Sequence, residues 1–184
     1  MMELKSLVPG LRYDLRYATT NNFTGKKLYS EGNHTYLRLP VARALQEIQI
    51  ELNEKGLALK IFDAYRPYSV TEKMWTLIHD ERYVANPAKG SGHNRGLAVD
   101  LTIIYLKTGA ELNMGTGFDN FTDSAHHTFK SLPPEILINR LLLRQQMEKH
   151  GFAALETEWW HYSWPNDRNY EVLDLDFRKL EKHG

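Results

Sequence analysis

Residues 91–100, SGHNRGLAVD, carry a histidine near one end of a run of small residues and an aspartate at the other, where an apolar stretch begins. An ionised carboxylate among apolar side chains is costly unless a cation or hydrogen bonds compensate it. We therefore expect a metal ion or an arginine beside Asp100, and Gly96 and Ala98 leave room for a close approach. A simple ion pair between Asp100 and Arg95 is the alternative.

Residues 156–162, ETEWWHY, place two carboxylates and an imidazole among bulky aromatic side chains. The chain contains no cysteine, so any metal ion must be bound by imidazole, carboxylate or water. Catalytic zinc usually takes three protein ligands from histidine and acidic residues and leaves one position for water. His93, Asp100 and His161 make such a set and predict one zinc ion per chain.

Hydrolysis at such a site also needs a base that accepts a proton from water. Glu158, three residues before His161, is the favoured candidate, and its neighbour Glu156 is the alternative. Residues three apart on a regular strand face opposite sides. Glu158 and His161 can therefore serve one metal ion only if the backbone bends or bulges between them.

A fixed guanidinium can stabilise the negative charge that develops on the carbonyl oxygen during peptide hydrolysis. Arg66 is the candidate for this role, because Pro67 biases it towards extended geometry at the end of a predicted strand. Asp63 could orient the Arg66 side chain. The alternative is that the two residues form a purely structural salt bridge.

The elements that position these residues follow from hydrophobic periodicity. Predicted strands cover residues 11–18, 57–62, 97–105 and 158–164, and predicted helices cover residues 40–55, 69–78 and 133–150. Ser69 is the expected N-cap of the second helix. A turn at residues 107–109 predicts a hairpin that returns through residues 110–114.

The length of 184 residues and the hydrophobic content of 42% predict one domain, residues 1–184, with a substantial core. Lys and Arg total 23 and so do Asp and Glu, which makes nucleic acid a poor candidate partner. No apolar run reaches the roughly 18 residues of a membrane span. We expect a cytoplasmic protein, or a periplasmic or secreted one if a leader has been removed; oligomeric state is left open.

Both motifs, SxHxxGxAxD at residues 91–100 and ExxH at residues 158–161, resemble the metal motifs of the D-Ala-D-Ala metallopeptidase superfamily, which includes the Hedgehog signalling fold. Residues 14–19 (DLRYAT), 21–25 (NNFTG), 63–67 (DAYRP) and 114–119 (MGTGFD) further resemble the D-alanyl-D-alanine dipeptidases related to the vancomycin-resistance enzyme. The resemblance implies an α+β fold: a central, mostly antiparallel sheet flanked by helices.

The resemblance also implies roles for individual residues. It implies that His93, Asp100 and His161 bind zinc, that Glu158 is the base, and that Arg66 stabilises the tetrahedral intermediate. The implied substrate contacts are Asp119 to the free ammonium group, Ser91 to the dipeptide, and Tyr29 to the pocket lining. Residues 113–128 are expected to cap the pocket.

The expected activity is hydrolysis of D-Ala-D-Ala, a peptidoglycan precursor, into two molecules of D-alanine. A buried aspartate that pairs with an α-ammonium group rejects longer peptides, in which that nitrogen is an amide. Two alternatives remain open at this point: a D,D-carboxypeptidase or cell-wall endopeptidase with the same metal site, and a binding module that keeps zinc without catalysis.

Overall fold

A five-stranded sheet forms the centre of the computed structural model, which describes residues 1–30 and 34–180. In spatial order its strands are β2 (Arg12–Tyr13), β4 (Leu57–Asp63), β5 (Ala98–Tyr105), β7 (Glu158–Ser163) and β6 (Ala153–Leu155). Strand β2 runs parallel to β4, and the other neighbours are antiparallel. The mostly antiparallel sheet predicted for the chain is confirmed. A separate ribbon pairs β1 (Met2–Glu3) with β3 (Tyr36–Leu37).

Helices cover the sheet. They are α1 (Leu4–Leu7), α2 (Leu39–Asn53), α3 (Tyr68–Trp75), α4 (Gly92–Arg95), α5 (Pro134–Lys149) and α6 (Phe177–Leu180). Helix α2 packs against β4, and α5 packs against β6 and β7. Strand β5 is buried along nearly its whole length, as expected for an apolar strand in the middle of a covered sheet. None of the described helices is long and apolar enough to cross a membrane.

Residues 11–18 do not form the single strand that their alternation predicts. Only Arg12–Tyr13 pair with β4, and the chain then turns into a 3₁₀ helix at Arg16–Ala18. This turn brings Tyr17 into the interior, where it is 3% exposed and packs edge-on against Phe23. Burial of one large aromatic ring therefore outweighs continued pairing at the sheet edge.

Two local predictions also need correction. Helix α3 begins at Tyr68, and Ser69 is not its N-cap; the Ser69 amide donates instead to Asp174 Oδ1 at 2.9 Å. The side chain of a distant segment thus satisfies a free amide of the first turn. The hairpin after residues 107–109 shrinks to a single bridge between Ile104 and Glu111, because the chain then leaves the sheet towards the 113–128 segment.

The sheet register lines up three polar residues across its central strands. Asp63 of β4 is opposite Asp100 of β5, which in turn is opposite His161 of β7. Residues paired across neighbouring strands project from the same face. Two carboxylates and one imidazole therefore lie side by side at one end of the sheet, and the neighbouring strand positions are apolar.

Candidate active site

The three predicted metal ligands converge on one point at this end of the sheet. One ligand atom from each of His93, Asp100 and His161 lies within 4.8 Å of the others. His93 Nε2 is 3.2 Å from His161 Nδ1 and 3.4 Å from Asp100 Oδ2, while His161 Nδ1 is 2.9 Å from Asp100 Oδ1. The structure therefore brings together the residues of both sequence motifs.

Helix α4 carries His93 and explains the spacing of the first motif. Ser91 caps it by accepting a hydrogen bond from the His93 amide at 3.2 Å, and Asn94 Oδ1 accepts one from the Ser91 amide. Gly96 ends the helix with a φ of +69°, a conformation that glycine adopts without penalty. The chain then enters β5, which carries Asp100.

The arrangement of ring nitrogens fits a bound divalent cation. His93 donates from Nδ1 to the Ala64 carbonyl at 2.7 Å, so its Nε2 lone pair faces Asp100 and His161. His161 Nε2 contacts Ser163 Oγ at 3.0 Å, which leaves Nδ1 facing the same point. Outer hydrogen bonds of this kind orient histidine ligands in metal sites. Two imidazoles and one carboxylate are a donor set that zinc commonly takes.

Electrostatics agree with this interpretation. Burial alone would raise the pKa of Asp100, but the neighbouring His93 and His161 outweigh it and hold that pKa below its usual range. Burial lowers the pKa of His161, which makes it easier for a metal ion to displace its proton. A neutral imidazole beside an ionised carboxylate is the protonation state that binds a metal ion.

The bend required between Glu158 and His161 is present. Strand β6 pairs Leu155 with Glu158 but the preceding Ala154 with Tyr162, so β7 bulges between these two positions. The bulge brings Glu158 Oε2 to 4.0 Å from His161 Nδ1. The predicted departure from regular strand geometry is confirmed.

Glu158 and Glu156 differ sharply in surroundings. Glu158 is 6% exposed, and burial followed by the charges of Asp100 and Asp119 raises its pKa well above the usual range. Glu156 is exposed and lies 3.7 Å from Arg144, away from His93, Asp100 and His161, the candidate metal cluster. A carboxylate with high proton affinity at the site is suited to accept a proton.

Arg66 is held rigidly at the same end of the sheet. Its Nε and Nη2 both donate to Asp63 Oδ2, at 2.9 and 2.8 Å, and Nη2 lies 3.7 Å from Asp100 Oδ2. The Tyr29 hydroxyl donates to the other Asp63 oxygen at 2.6 Å. The Asp63 pairing therefore orients a guanidinium that also reaches the site.

Tyr29 is not where the resemblance places it. It is 4% exposed and lines a neighbouring cavity, not the one that contains the candidate metal cluster. Its hydrogen bond to Asp63 occupies the hydroxyl behind Arg66. Tyr29 thus contacts Arg66 indirectly, through the Asp63 carboxylate, and does not line the pocket.

The candidate metal cluster lines a cavity of about 240 Å³, which is also lined by Ser91 and Asp119. Asp119 adopts a left-handed backbone conformation, with φ of +59°. Burial, more than the nearby charge of Asp100, raises its pKa to about 7. A partly buried acid with a raised pKa favours a cationic partner, which would return it to the charged state.

Two features of the cavity were not predicted as functional. Tyr17 donates to both Asp119 oxygens, yet alternation in the sequence indicates only a packing role for it. Phe121 contacts the rings of both Phe23 and Tyr83, with centroids 5.3 and 4.9 Å apart. Phe23 and Tyr83 line the cavity, so these three rings join separate loops above it. Such long-range ring contacts leave no local signal in the sequence.

Comparison with known proteins agrees with the geometry. The family described as D-ala-D-ala dipeptidase matches residues 1–180 of the chain. The chain belongs to this family. It is 35% identical to the D-alanyl-D-alanine dipeptidase of Escherichia coli (strain K12), over 96% of this chain and 91% of that protein. It is 36% identical to the D-alanyl-D-alanine dipeptidase of Enterococcus faecalis (strain ATCC 700802 / V583), over 86% and 88%.

Among solved structures, the chain is similar to the LdcB LD-carboxypeptidase, with 21% sequence identity and a TM-score of 0.46. The similarity covers 74% of this chain and 64% of that chain. Membership of the D-Ala-D-Ala dipeptidase family confirms the resemblance carried by the two metal motifs and establishes a peptidase.

Proposed function

We propose that the protein is a zinc-dependent dipeptidase that hydrolyses D-Ala-D-Ala into two molecules of D-alanine. The observation that carries the proposal is the convergence of the cluster His93, Asp100 and His161 with Glu158 and Asp119 in one small cavity. Relatives at about 35% identity that bear the dipeptidase name support the same substrate.

His93 Nε2, Asp100 and His161 Nδ1 would hold the zinc ion. Zinc at such a site supplies a Lewis acid that polarises a carbonyl group and lowers the pKa of water to about 7. The Ala64 carbonyl and Ser163 fix the two imidazole rings from outside. The donor atoms are therefore preorganised before any ligand arrives.

Glu158 serves as the proton carrier of the reaction. It takes a proton from the attacking water and returns it to the nitrogen of the leaving D-alanine. Its burial and high proton affinity suit the first transfer. Its place on the β7 bulge, beside His161, keeps the carboxylate at the reacting centre throughout both transfers.

Arg66 stabilises the negative charge that builds on the former carbonyl oxygen. Its double hydrogen bond to Asp63 leaves the guanidinium little freedom, so little reorganisation is needed when that charge develops. A preorganised cation of this type stabilises the transition state more than the uncharged ground state.

Asp119 gives the site its preference for a free dipeptide. The N-terminal D-alanine of the substrate carries a free α-ammonium group. The Asp119 carboxylate lies in the cavity and can pair with this group. A longer or acylated peptide presents an uncharged amide there and leaves the carboxylate without a cation. This residue separates the proposed dipeptidase from a D,D-carboxypeptidase.

The decisive experiment incubates the zinc-loaded protein with D-Ala-D-Ala, L-Ala-L-Ala and N-acetyl-D-Ala-D-Ala and measures released alanine. We expect turnover of the first peptide alone. Efficient cleavage of the acetylated peptide would assign a D,D-carboxypeptidase or endopeptidase. A protein that binds zinc and cleaves none of the three would be a binding module.

A further inference from the structure

Arg140 of helix α5 has a buried guanidinium group that donates hydrogen bonds to the loop carrying Asp119. It is 4% exposed and donates from Nε to the Met114 carbonyl at 2.7 Å. Its Nη2 and Nη1 donate to the carbonyls of Ser124 and His126 at 2.9 and 3.2 Å. One side chain therefore ties together both ends of the segment that contains Asp119.

The charge of Arg140 depends on these carbonyl groups. In the part of the chain that the structure describes, no carboxylate pairs with it, and burial lowers its pKa to about 10. A buried cation without a counter-ion is costly unless hydrogen bonds compensate it. The loop conformation and the guanidinium therefore require each other: loss of the three carbonyls would leave Arg140 uncompensated.

The loop has little other regular structure to hold it. Between Met114 and His126 it contains only the short 3₁₀ helix Asp123–Ala125. Trp159 Nε1 donates to Thr116 Oγ1 at 2.8 Å, and Tyr17 donates to Asp119 itself. Those two contacts touch the middle of the loop, whereas Arg140 closes its base.

We propose that Arg140 is a positioning residue for substrate recognition, because it closes the base of the Asp119 loop and so fixes the carboxylate where the substrate ammonium group binds. This inference rests on the proposed function. Arg140 itself lies beneath the loop and contacts backbone carbonyls, so it acts through Asp119. A displacement of about 1 Å in such a group can lower the rate about 100-fold.

Substitution at Arg140 should therefore weaken recognition of the free amine. In Arg140→Met the three carbonyls lose their donor, and in Arg140→Lys an ammonium group replaces the planar fork and cannot reach all three. We expect KM for D-Ala-D-Ala to rise roughly 10- to 100-fold in Arg140→Met, with a smaller fall in kcat. Arg140→Lys should lie between this variant and the wild type.

A double-variant cycle separates this role from a general loss of stability. If Arg140 acts through Asp119, Arg140→Met adds little to the defect of Asp119→Asn, so kcat/KM of the double variant matches Asp119→Asn within about threefold. If the two defects multiply, the inference is overturned. The control is Arg144→Met, on the same helix, whose side chain pairs with Glu148 at the surface and should leave kcat/KM unchanged.

Hydrogen exchange gives a second readout that does not depend on catalysis. In Arg140→Lys we expect faster amide exchange than in the wild type within residues 113–128 and unchanged exchange in the sheet. Exchange in that segment at the wild-type rate would overturn the inference. If Arg140→Met does not fold, the same cycle with Arg140→Lys decides. Failure of the proposed function is read from the wild type alone, as absence of D-Ala-D-Ala turnover.

Discussion

The Tyr17 hydroxyl donates to both carboxylate oxygens of Asp119, at 2.9 and 3.1 Å. Burial raises the pKa of Tyr17 well above its usual range, so the hydroxyl remains a donor at working pH. The same ring lies 5.0 Å from the guanidinium carbon of Arg66. Tyr17 thus connects the group that would bind the substrate ammonium to the group that would face the oxyanion.

Replacing Tyr17 by Phe keeps the ring beside Arg66 and removes only the donor. The hydrogen bond lowers the pKa of Asp119, so its loss should raise that pKa above its wild-type value of about 7. The charged fraction of Asp119 then falls most at acidic pH. We expect KM for D-Ala-D-Ala, measured from pH 6 to 8, to exceed the wild-type value severalfold at pH 6 and by less at pH 8. Tyr105→Phe, on the exposed end of β5, is the control and should follow the wild type.

Asp119 should also destabilise the substrate-free protein. Its folded-state pKa of about 7 lies above the ordinary carboxyl value, so the folded state binds the proton more tightly than the unfolded state does. The resulting penalty is absent at pH values below the unfolded pKa and grows as pH rises towards 7. We expect Asp119→Asn to raise Tm by a few degrees at pH 8 and to leave it unchanged near pH 4. An equal shift at both pH values would point to packing and not to ionisation.

The residues of the proposed metal site were predictable because each stands out locally. Asp100 is a carboxylate in an apolar strand, and His161 lies among aromatic side chains, so both require polar partners. The bulge between Glu158 and His161 followed from geometry, since a regular strand would separate their side chains. Helix limits were close as well, because proline in the first turn and glycine beyond the end mark them.

Partners that meet only in the folded chain were not predictable. The roles of Tyr29 and Tyr17 depend on hydrogen bonds to Asp63 and Asp119, which lie far away in sequence. Residues 11–18 alternate like a strand, but tertiary burial of Tyr17 turns the chain instead. Arg140 belongs to a helix whose sequence shows no need for an inward charge; the need arises from loop carbonyls that pack against it.

Glu158→Gln tests the assignment of the base. The amide keeps the shape of the side chain but cannot accept the proton, so kcat should fall by roughly 100- to 10,000-fold. Zinc content, measured by elemental analysis after dialysis, should stay at one ion per chain, because the ligand set does not include Glu158. Glu156→Gln is the matched control and should retain full activity. Loss of zinc from Glu158→Gln would instead make this residue a ligand.

Removal of the metal should lower both activity and stability. The two histidines and Asp100 are assembled only in the folded state, so a cation they bind stabilises that state. Zinc at about a thousand times its Kd adds about 4 kcal/mol, which for a domain of this size corresponds to roughly 8–16 °C in Tm. The measurement compares thermal unfolding with zinc and after chelation. In His161→Gln, with one ligand changed, the zinc-dependent shift should largely vanish; a full shift would place the bound zinc elsewhere.

Phe121 should restrict the size of the substrate through the two rings that it contacts. It packs against Phe23 and Tyr83, which line the cavity from two other loops. Phe121→Ala removes both contacts and frees those loops. We expect the ratio of kcat/KM for D-Ala-D-Ala-D-Ala to that for D-Ala-D-Ala to rise roughly tenfold, which corresponds to about 1.4 kcal/mol. Phe121→Leu, which keeps apolar bulk at the junction, should change the ratio less. A ratio that stays constant in both variants would contradict a role for these rings in limiting peptide length.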